Sequence, residues 1–525
     1  MAPGSLSELS SSSKRYLFKV RVSPANAQSA QRGRRNWHDG IPPILRPLVR
    51  AYLLGYVSAV APRVLTLLLK HIRRRRHISQ TGEKTEKTGK TGKTAAHESW
   101  WESLQHILYT GLDPRRFPAF CALIVGGSTL LEVPLKVALN KLTKNLSEVA
   151  RKRLSRWFAS FIAAYLSLRL LQSKQSASFV EVAPVQVEET PGAAFGTTRS
   201  AGRTLDLTLF AVTRALDIIV GSLWARRQTT KKPSAVSSAI SHLPDTALFA
   251  VSSGLIMWNW IYHPSRLPHA YNKWIDAAAA IDHRLVEALR RCRTGALQYG
   301  VDTGQAPLLG SMCDDYGWPR AWGDPAVSVP FPCEVVHMGT CGSSCEGHAA
   351  ARFVRSFRWA MATYLPLNLV AAAVRSQTAA RPGPYSKEFR RALISAARSS
   401  AFLGAFISLF YYSICLTRSR LGPHILGKDA KARQKIDGGM CIGAGCVLCG
   451  WSILLENAGR HKDVALFVAP RALATLLPRR YAWEKQWRET VVFAASTAVV
   501  FTCVLEDRAR VRGVLGSVLG SVLQP

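Results

Sequence analysis

The sequence predicts an all-α, polytopic helical membrane protein, with two helical halves joined by a Gly/Pro-rich loop and an amphipathic helix. Three observations predict it. The chain is 525 residues long, too long for one ordinary soluble core. Lys and Arg number 69 against 33 Asp and Glu, a net charge of +36. The mean hydropathy is nevertheless slightly positive at +0.04, so the apolar residues must be gathered into blocks. Several blocks approach the roughly 20 residues that cross a bilayer. The surplus of base fits anionic lipid headgroups beside apolar spans. It does not point to nucleic acid, because no recognition motif accompanies it.

In chain order, residues 1–47 are a basic, Ser-rich tail with Glu8 and Asp39 its only acids before residue 40. A disordered tail is preferred there to a transit peptide, and no secretory signal peptide is expected. The N-terminal membrane half is placed at 48–262. Its first block, 48–69, carries Arg50, Pro62 and Arg63 and is followed by HIRRRRH. Basic flanks on both sides leave its orientation open. Residues 78–96 are a Lys/Thr/Gly linker; Gly89-Lys90-Thr91 and Gly92-Lys93-Thr94 lack the earlier glycine a phosphate loop needs. Further spans are read at 117–139 and 154–171, then a Ser/Pro/Glu loop over 173–200.

The block at 205–224 carries a polar stripe. At 100° per residue, Asp206, Thr213, Arg214, Asp217 and Gly221 share an arc of about 100°. Charges inside a membrane are expensive unless paired. A structural ion pair that orders the bundle is preferred to a transport pathway. Residues 246–262 form another span, ending in Trp and Tyr. The segment 263–332 is an amphipathic helix (271–299, with His283 on its surface) followed by a Gly/Pro/Asp-rich loop.

Residues 333–356 form a Cys/His-rich cap: Cys333, His337, Cys341, Cys345 and His348 lie within sixteen residues. Thiols and imidazoles are zinc ligands, but the spacing does not supply two close cysteine pairs. A structural cysteine-rich cap is therefore preferred to a zinc site. The C-terminal membrane half follows at 357–510, with apolar segments at 357–374, 396–416, 438–455, 464–477 and 491–505, and 511–525 is a tail. In 438–450, Gly439, Gly443, Gly445 and Gly450 are expected to let helices approach closely. Cys446 and Cys449 form a CxxC on an apolar helix, where packing is preferred to redox chemistry. Glu456, Arg460, Asp463 and Arg471 are expected to pair across a hairpin. Eleven cysteines, an odd number with several in apolar segments, predict mostly reduced thiols. No Ser/His/Asp order, HExxH or nucleotide fingerprint is present, so no catalytic residue and no cofactor is expected, a structural zinc being only the alternative to the cap.

The stretches CEVVH, SC and RFVRSFRWAMATYLPLNLV from Cys333 onward, with 438–450 and SILLENAGRHKDVALFVAPRAL, resemble the fungal branch of the transmembrane protein 135 family over roughly residues 330–510. FPAFCALIVGGSTLLEVPL, AGRTLDLTLFAVTRALDIIVGSLWARR and HPSRLPHAYNKWI resemble the extension of fungal members. The later half is distantly similar to the Tim17/Tim22/Tim23 translocase group. The resemblance implies a multi-pass protein of peroxisomal or mitochondrial membranes, tied to lipid handling and organelle dynamics, and a non-enzymatic role is the function expected first. Its expected partners are the lipid bilayer with its anionic headgroups, and a homo-oligomer or organelle membrane partners. Two other classes stay open: a transporter or translocase pore using the stripe, and a metal-dependent membrane enzyme.

Overall fold

The computed structural model describes residues 41–80, 100–143, 145–173, 180–184, 195–228, 235–378, 384–507, 510–511 and 514–523. The tail before residue 41 and both GKT triplets lie outside the described residues, and the linker reading at 78–96 is described only as far as Gln80.

Long helices dominate, as the apolar blocks require. In order they are α1 (Arg46–Gln80), α2 (Trp100–Gly111), α3 (Phe117–Leu142), α4 (Glu148–Gln172), α5 (Leu205–Gln228) and α6 (Ala235–Tyr262). Shorter helices follow: α7 (His269–Ala279), α8 (His283–Thr294), α9 (Ala306–Tyr316) and α10 (Cys333–Val336). The C-terminal part holds α11 (Cys345–Thr378), α12 (Tyr385–Leu416), α13 (Gly422–Leu426), α14 (Ala430–Lys435) and α15 (Cys441–Cys449). It ends with α16 (Ala458–Leu476), α17 (Gln486–Glu506) and α18 (Val514–Leu523). Five helical stretches among the described residues are long and apolar enough to cross a membrane: Pro43–Leu68, Phe117–Leu142, Tyr385–Leu426, Ala430–Leu455 and Trp483–Glu506. The chain is an all-α polytopic protein with the composition of a multi-pass membrane protein.

The side chains are distributed as a lipid solvent favours. On α4, Ser155, Ala159, Ser160, Ala163 and Ser167 are buried, while Phe158, Ile162 and Leu166 face outward. Small residues inside let backbones approach, and large apolar residues outside carry no penalty where the surroundings are lipid, although α4 itself is not among the five stretches. Gly127 of α3 sits so close that a Cβ there would lie 3.0 Å from Ala163 Cβ.

Packing crosses the division drawn along the sequence at 300–332. One bundle joins α1, α3, α4 and α5 to α17, from the other end of the chain, around Phe120, Ile124, Leu168, Phe493 and Phe501. The other joins α6, from the first half, to α11, α12, α15 and α16 around Ile256, Trp260, Ile407, Phe410 and Ile442. Glu489 of α17 locks the first bundle. It accepts hydrogen bonds from Thr204 (2.5 Å), Thr208 (3.2 Å) and Tyr481, and Gln172 of α4 donates to Thr204 at 3.0 Å.

The Ser/Pro/Glu loop at 173–200 carries strands the sequence reading did not foresee. β1 (Val180–Pro184) pairs antiparallel with β2 (Phe195–Ala201), whose end pairs with β3 (Tyr481–Ala482). Gly202 follows with φ +122°, and a Cβ there would lie 2.0 Å from the Arg479 carbonyl. Only glycine allows that approach.

The stretch 263–332 is a folded cap rather than an open connection. The amphipathic segment breaks into α7 and α8 at Ala280, whose φ is +47°, and Asp282 caps α8 by accepting from Arg284 N–H at 2.9 Å. Leu309, Met312 and Cys313 of α9 are fully buried with Leu297, Phe331 and Val335. His283 is exposed, as expected.

Candidate functional site

The cap meets the second bundle at the Cys/His stretch. In CEVVH, a spacing of four places Cys333 and His337 on one face of α10 and its capping turn. The chain then reverses through Met338, Gly339, Cys341 and Gly342, all with φ between +53° and +70°. That reversal aims the Gly342 carbonyl at His337 Nδ1, 2.7 Å away. A carbonyl only accepts, so Nδ1 carries the proton and Nε2 presents its lone pair. Nε2 faces the Cys415 sulfur of α12 at 3.3 Å. Cys345 begins α11 beside them, and ligand atoms of Cys333, His337 and Cys345 all lie within 4.8 Å of one another.

Of the five residues singled out in the sequence, three are brought together and two are not. Cys341 is exposed on the reversing loop. His348 is buried but stacks on the His337 ring, with centroids 4.4 Å apart, and its Nε2 accepts from Arg352 at 3.4 Å. Burial holds the Cys333 thiol above and the His337 imidazole below their ordinary values. Burial, then Arg352 and His337, push His348 down to about 3. At neutral pH both rings are uncharged.

Arg352 fastens this junction. It donates to the Ala279 and Ala280 carbonyls at 2.9 and 3.0 Å, closing the end of α7, and its guanidinium lies 4.5 Å from the Tyr411 ring centroid. Arg418 lies one turn beyond Cys415, in a π-helical segment (Thr417–Leu421). It pairs with Asp437, in a second such segment (Ile436–Met440), at 2.6 and 2.8 Å. Tyr299 of the cap donates to the same carboxylate at 2.5 Å. Sequence reasoning missed Cys415, Arg418 and Asp437. Cys415 ends an apolar run with no ligand-type neighbour at metal-site spacing, and only the turn of α12 toward the cap gives it partners.

The polar stripe resolves differently from an internal Arg/Asp pair. Asp206 pairs with Arg479 at 3.1 Å and Asp217 with Lys462 at 2.6 Å, both bases coming from the α16 region. Thr213 donates to its own helix at Phe210 O, 3.0 Å. Arg214 is buried, lies 5.3 Å from the Phe210 ring, and its Nε makes no hydrogen bond among the described residues.

The glycines also divide. A Cβ on Gly445 would lie 2.9 Å from the Phe410 ring, and one on Gly450 2.4 Å from Ala250 Cα, so these two carry close packing against α12 and α6. Gly443 has only ordinary contact with Trp258 at 3.9 Å. Gly439, with φ +159°, breaks the helix rather than packing it. The Gly439/Gly443 spacing is therefore not the seam. All eleven cysteines are free, and Cys446 and Cys449 are buried in helix packing. Glu456 accepts from Ser399 at 2.7 Å and lies 3.8 Å from Arg460. Arg471 instead lies over Phe467, 3.9 Å from its centroid.

Fold and site together define a helical multi-pass membrane protein with a folded cap and a buried thiol/imidazole cluster where cap meets bundle. No protein-family model, curated protein or solved structure matches the chain.

Proposed function

We propose that this chain is a non-enzymatic integral protein of an organelle membrane, peroxisomal or mitochondrial, that influences lipid distribution or organelle morphology. The observation carrying this reading is the set of five long apolar helices in a chain of net charge +36. The outward faces of its helices are large and apolar, suited to lipid. Arg355 and Arg358 are exposed near the start of α11, where anionic headgroups fit. The resemblance of residues 330–510 to the transmembrane protein 135 family supplies the organelle and the lipid connection. The test is imaging of a functional tagged chain at native level, with lipid analysis after deletion. Peroxisomal or mitochondrial signal with an altered lipid profile is expected. A plasma-membrane signal, or unchanged lipids and organelle shape, rejects the reading.

A transporter or translocase pore is the second reading, favoured by one observation: the buried Arg214 with its unpartnered Nε. Arg214→Met in protein reconstituted into vesicles should abolish flux of the carried solute if Arg214 lines a route. Flux equal to the parent chain's removes this reading.

A further inference from the structure

Cys333, His337, Cys345 and Cys415 come from three separate elements: α10 with its cap, the start of α11 and the end of α12. A tetrahedral zinc ion with Zn–S of about 2.3 Å and Zn–N of about 2.0–2.1 Å places its ligand atoms about 3.5–3.8 Å apart. The His337 Nε2 to Cys415 Sγ distance of 3.3 Å is close to that edge. The ligand atoms of Cys333, His337 and Cys345 lie within 4.8 Å of one another. The Cys345 thiol is within hydrogen-bonding reach of both Cys333 and Cys415, which makes it the centre of the thiol group.

Two further features suit a metal better than a plain thiol cluster. Three sulfurs and one imidazole gather where cap meets bundle: His337, Cys345 and Cys415 are buried and Cys333 is half-buried. The second nitrogen of His337 is held by the Gly342 carbonyl at 2.7 Å, the outer hydrogen bond that fixes a metal-binding histidine in its tautomer and orientation. The left-handed residues Met338 and Cys341, which lack glycine's freedom, sit in the loop that brings this carbonyl into place.

We propose that Cys333, His337, Cys345 and Cys415 form a Cys₃His site for a thiophilic divalent cation, zinc in the first instance, which staples the cap to α12. On binding, three S–H protons leave to solvent, three metal–sulfur bonds and one metal–nitrogen bond form, and nothing is oxidised or reduced. The centre carries one net negative charge. Arg418, whose guanidinium reaches the Phe331 carbonyl at 3.4 Å, two residues before Cys333, lies on that side as a pair with Asp437. Cys341 and His348, equally plausible from spacing alone, are outside the set. Four protein ligands close the coordination sphere, so the ion is structural.

The test is metal analysis of the full chain, purified in mild detergent without chelator from zinc-supplemented cells. One zinc per chain is expected. Cys345→Ser and Cys415→Ser should each reduce it to about a tenth or less, while Cys341→Ser keeps it whole. Cobalt(II) exchanged into the unmutated chain should give the absorption of a tetrahedral site with three thiolate charge-transfer contributions. That measurement decides the matter if a serine variant fails to fold. The proposal is overturned by metal-free parent protein, by full zinc in Cys415→Ser, by a cobalt spectrum without thiolate bands, or by a disulfide joining any two of the three cysteines.

Discussion

The carboxylates of α5 and the charges at the cap junction are each paired with a charge on another element, yet they are built on opposite principles. Asp206 and Asp217 reach bases at the bundle edge, with side chains 46% and 17% exposed. Arg418 and Asp437 are 7% and 3% exposed, joined by two short hydrogen bonds and completed by Tyr299. Water and headgroups soften the loss of a partner in the first region. In the second, nothing replaces the partner. A charge's consequence is thus set by what surrounds the pair.

The sharpest way to break this contrast is Asp437→Leu, which strands a buried guanidinium and the Tyr299 hydroxyl. A loss of about 3–5 kcal/mol is expected in denaturant unfolding of the detergent-solubilised chain. The double variant Arg418→Met/Asp437→Leu should regain more than half of that loss, since the penalty lies in the unpaired ion. Equal loss in both would show the pair itself to be strongly stabilising.

Next in size is Gly450→Val, whose side chain must displace the Ala250 backbone 2.4 Å from the new Cβ. It should cost about 1–3 kcal/mol by thermal unfolding, whereas Gly443→Ala should stay within about 0.5 kcal/mol. A reversed order would restore the Gly439/Gly443 spacing as the packing seam.

Asp217→Asn removes a half-buried pair with Lys462 and should cost about 1 kcal/mol. Asp206→Asn, at the more exposed end, should cost only about 0.2–0.5 kcal/mol and lose even that in high salt. A loss at Asp206 as large as at Asp437 would erase the distinction between the two regions.

Much of the fold was legible because its cause is local. A run of apolar residues with helical spacing must hide its backbone polar groups in lipid, and a helix does so within itself. The spans at 117–139, 396–416 and 491–505 accordingly fall inside α3, α12 and α17. The strands at 180–201 were not legible: β1 and β2 pair locally with each other but carry Pro184, Gly196 and few alternating apolar residues, and only the end of β2 pairs with the distant β3. The cap was mistaken for a loop because its glycines and prolines mark turns without revealing that Leu309 and Met312 between them are fully buried. In the candidate site, Cys333, His337 and Cys345 stood out by their density, but density also drew in Cys341 and His348.

By itself, then, the sequence determined the helical class, the suitability for a bilayer and the place where soft ligands gather, since these follow from residue type and short-range spacing. The tertiary structure alone decided which of those ligands meet and added Cys415 to them. It also sent α17 into the first bundle and α6 into the second, and paired Arg418 with Asp437. Each of these rests on contacts between segments far apart in the chain, and no local pattern encodes a distance across a bundle.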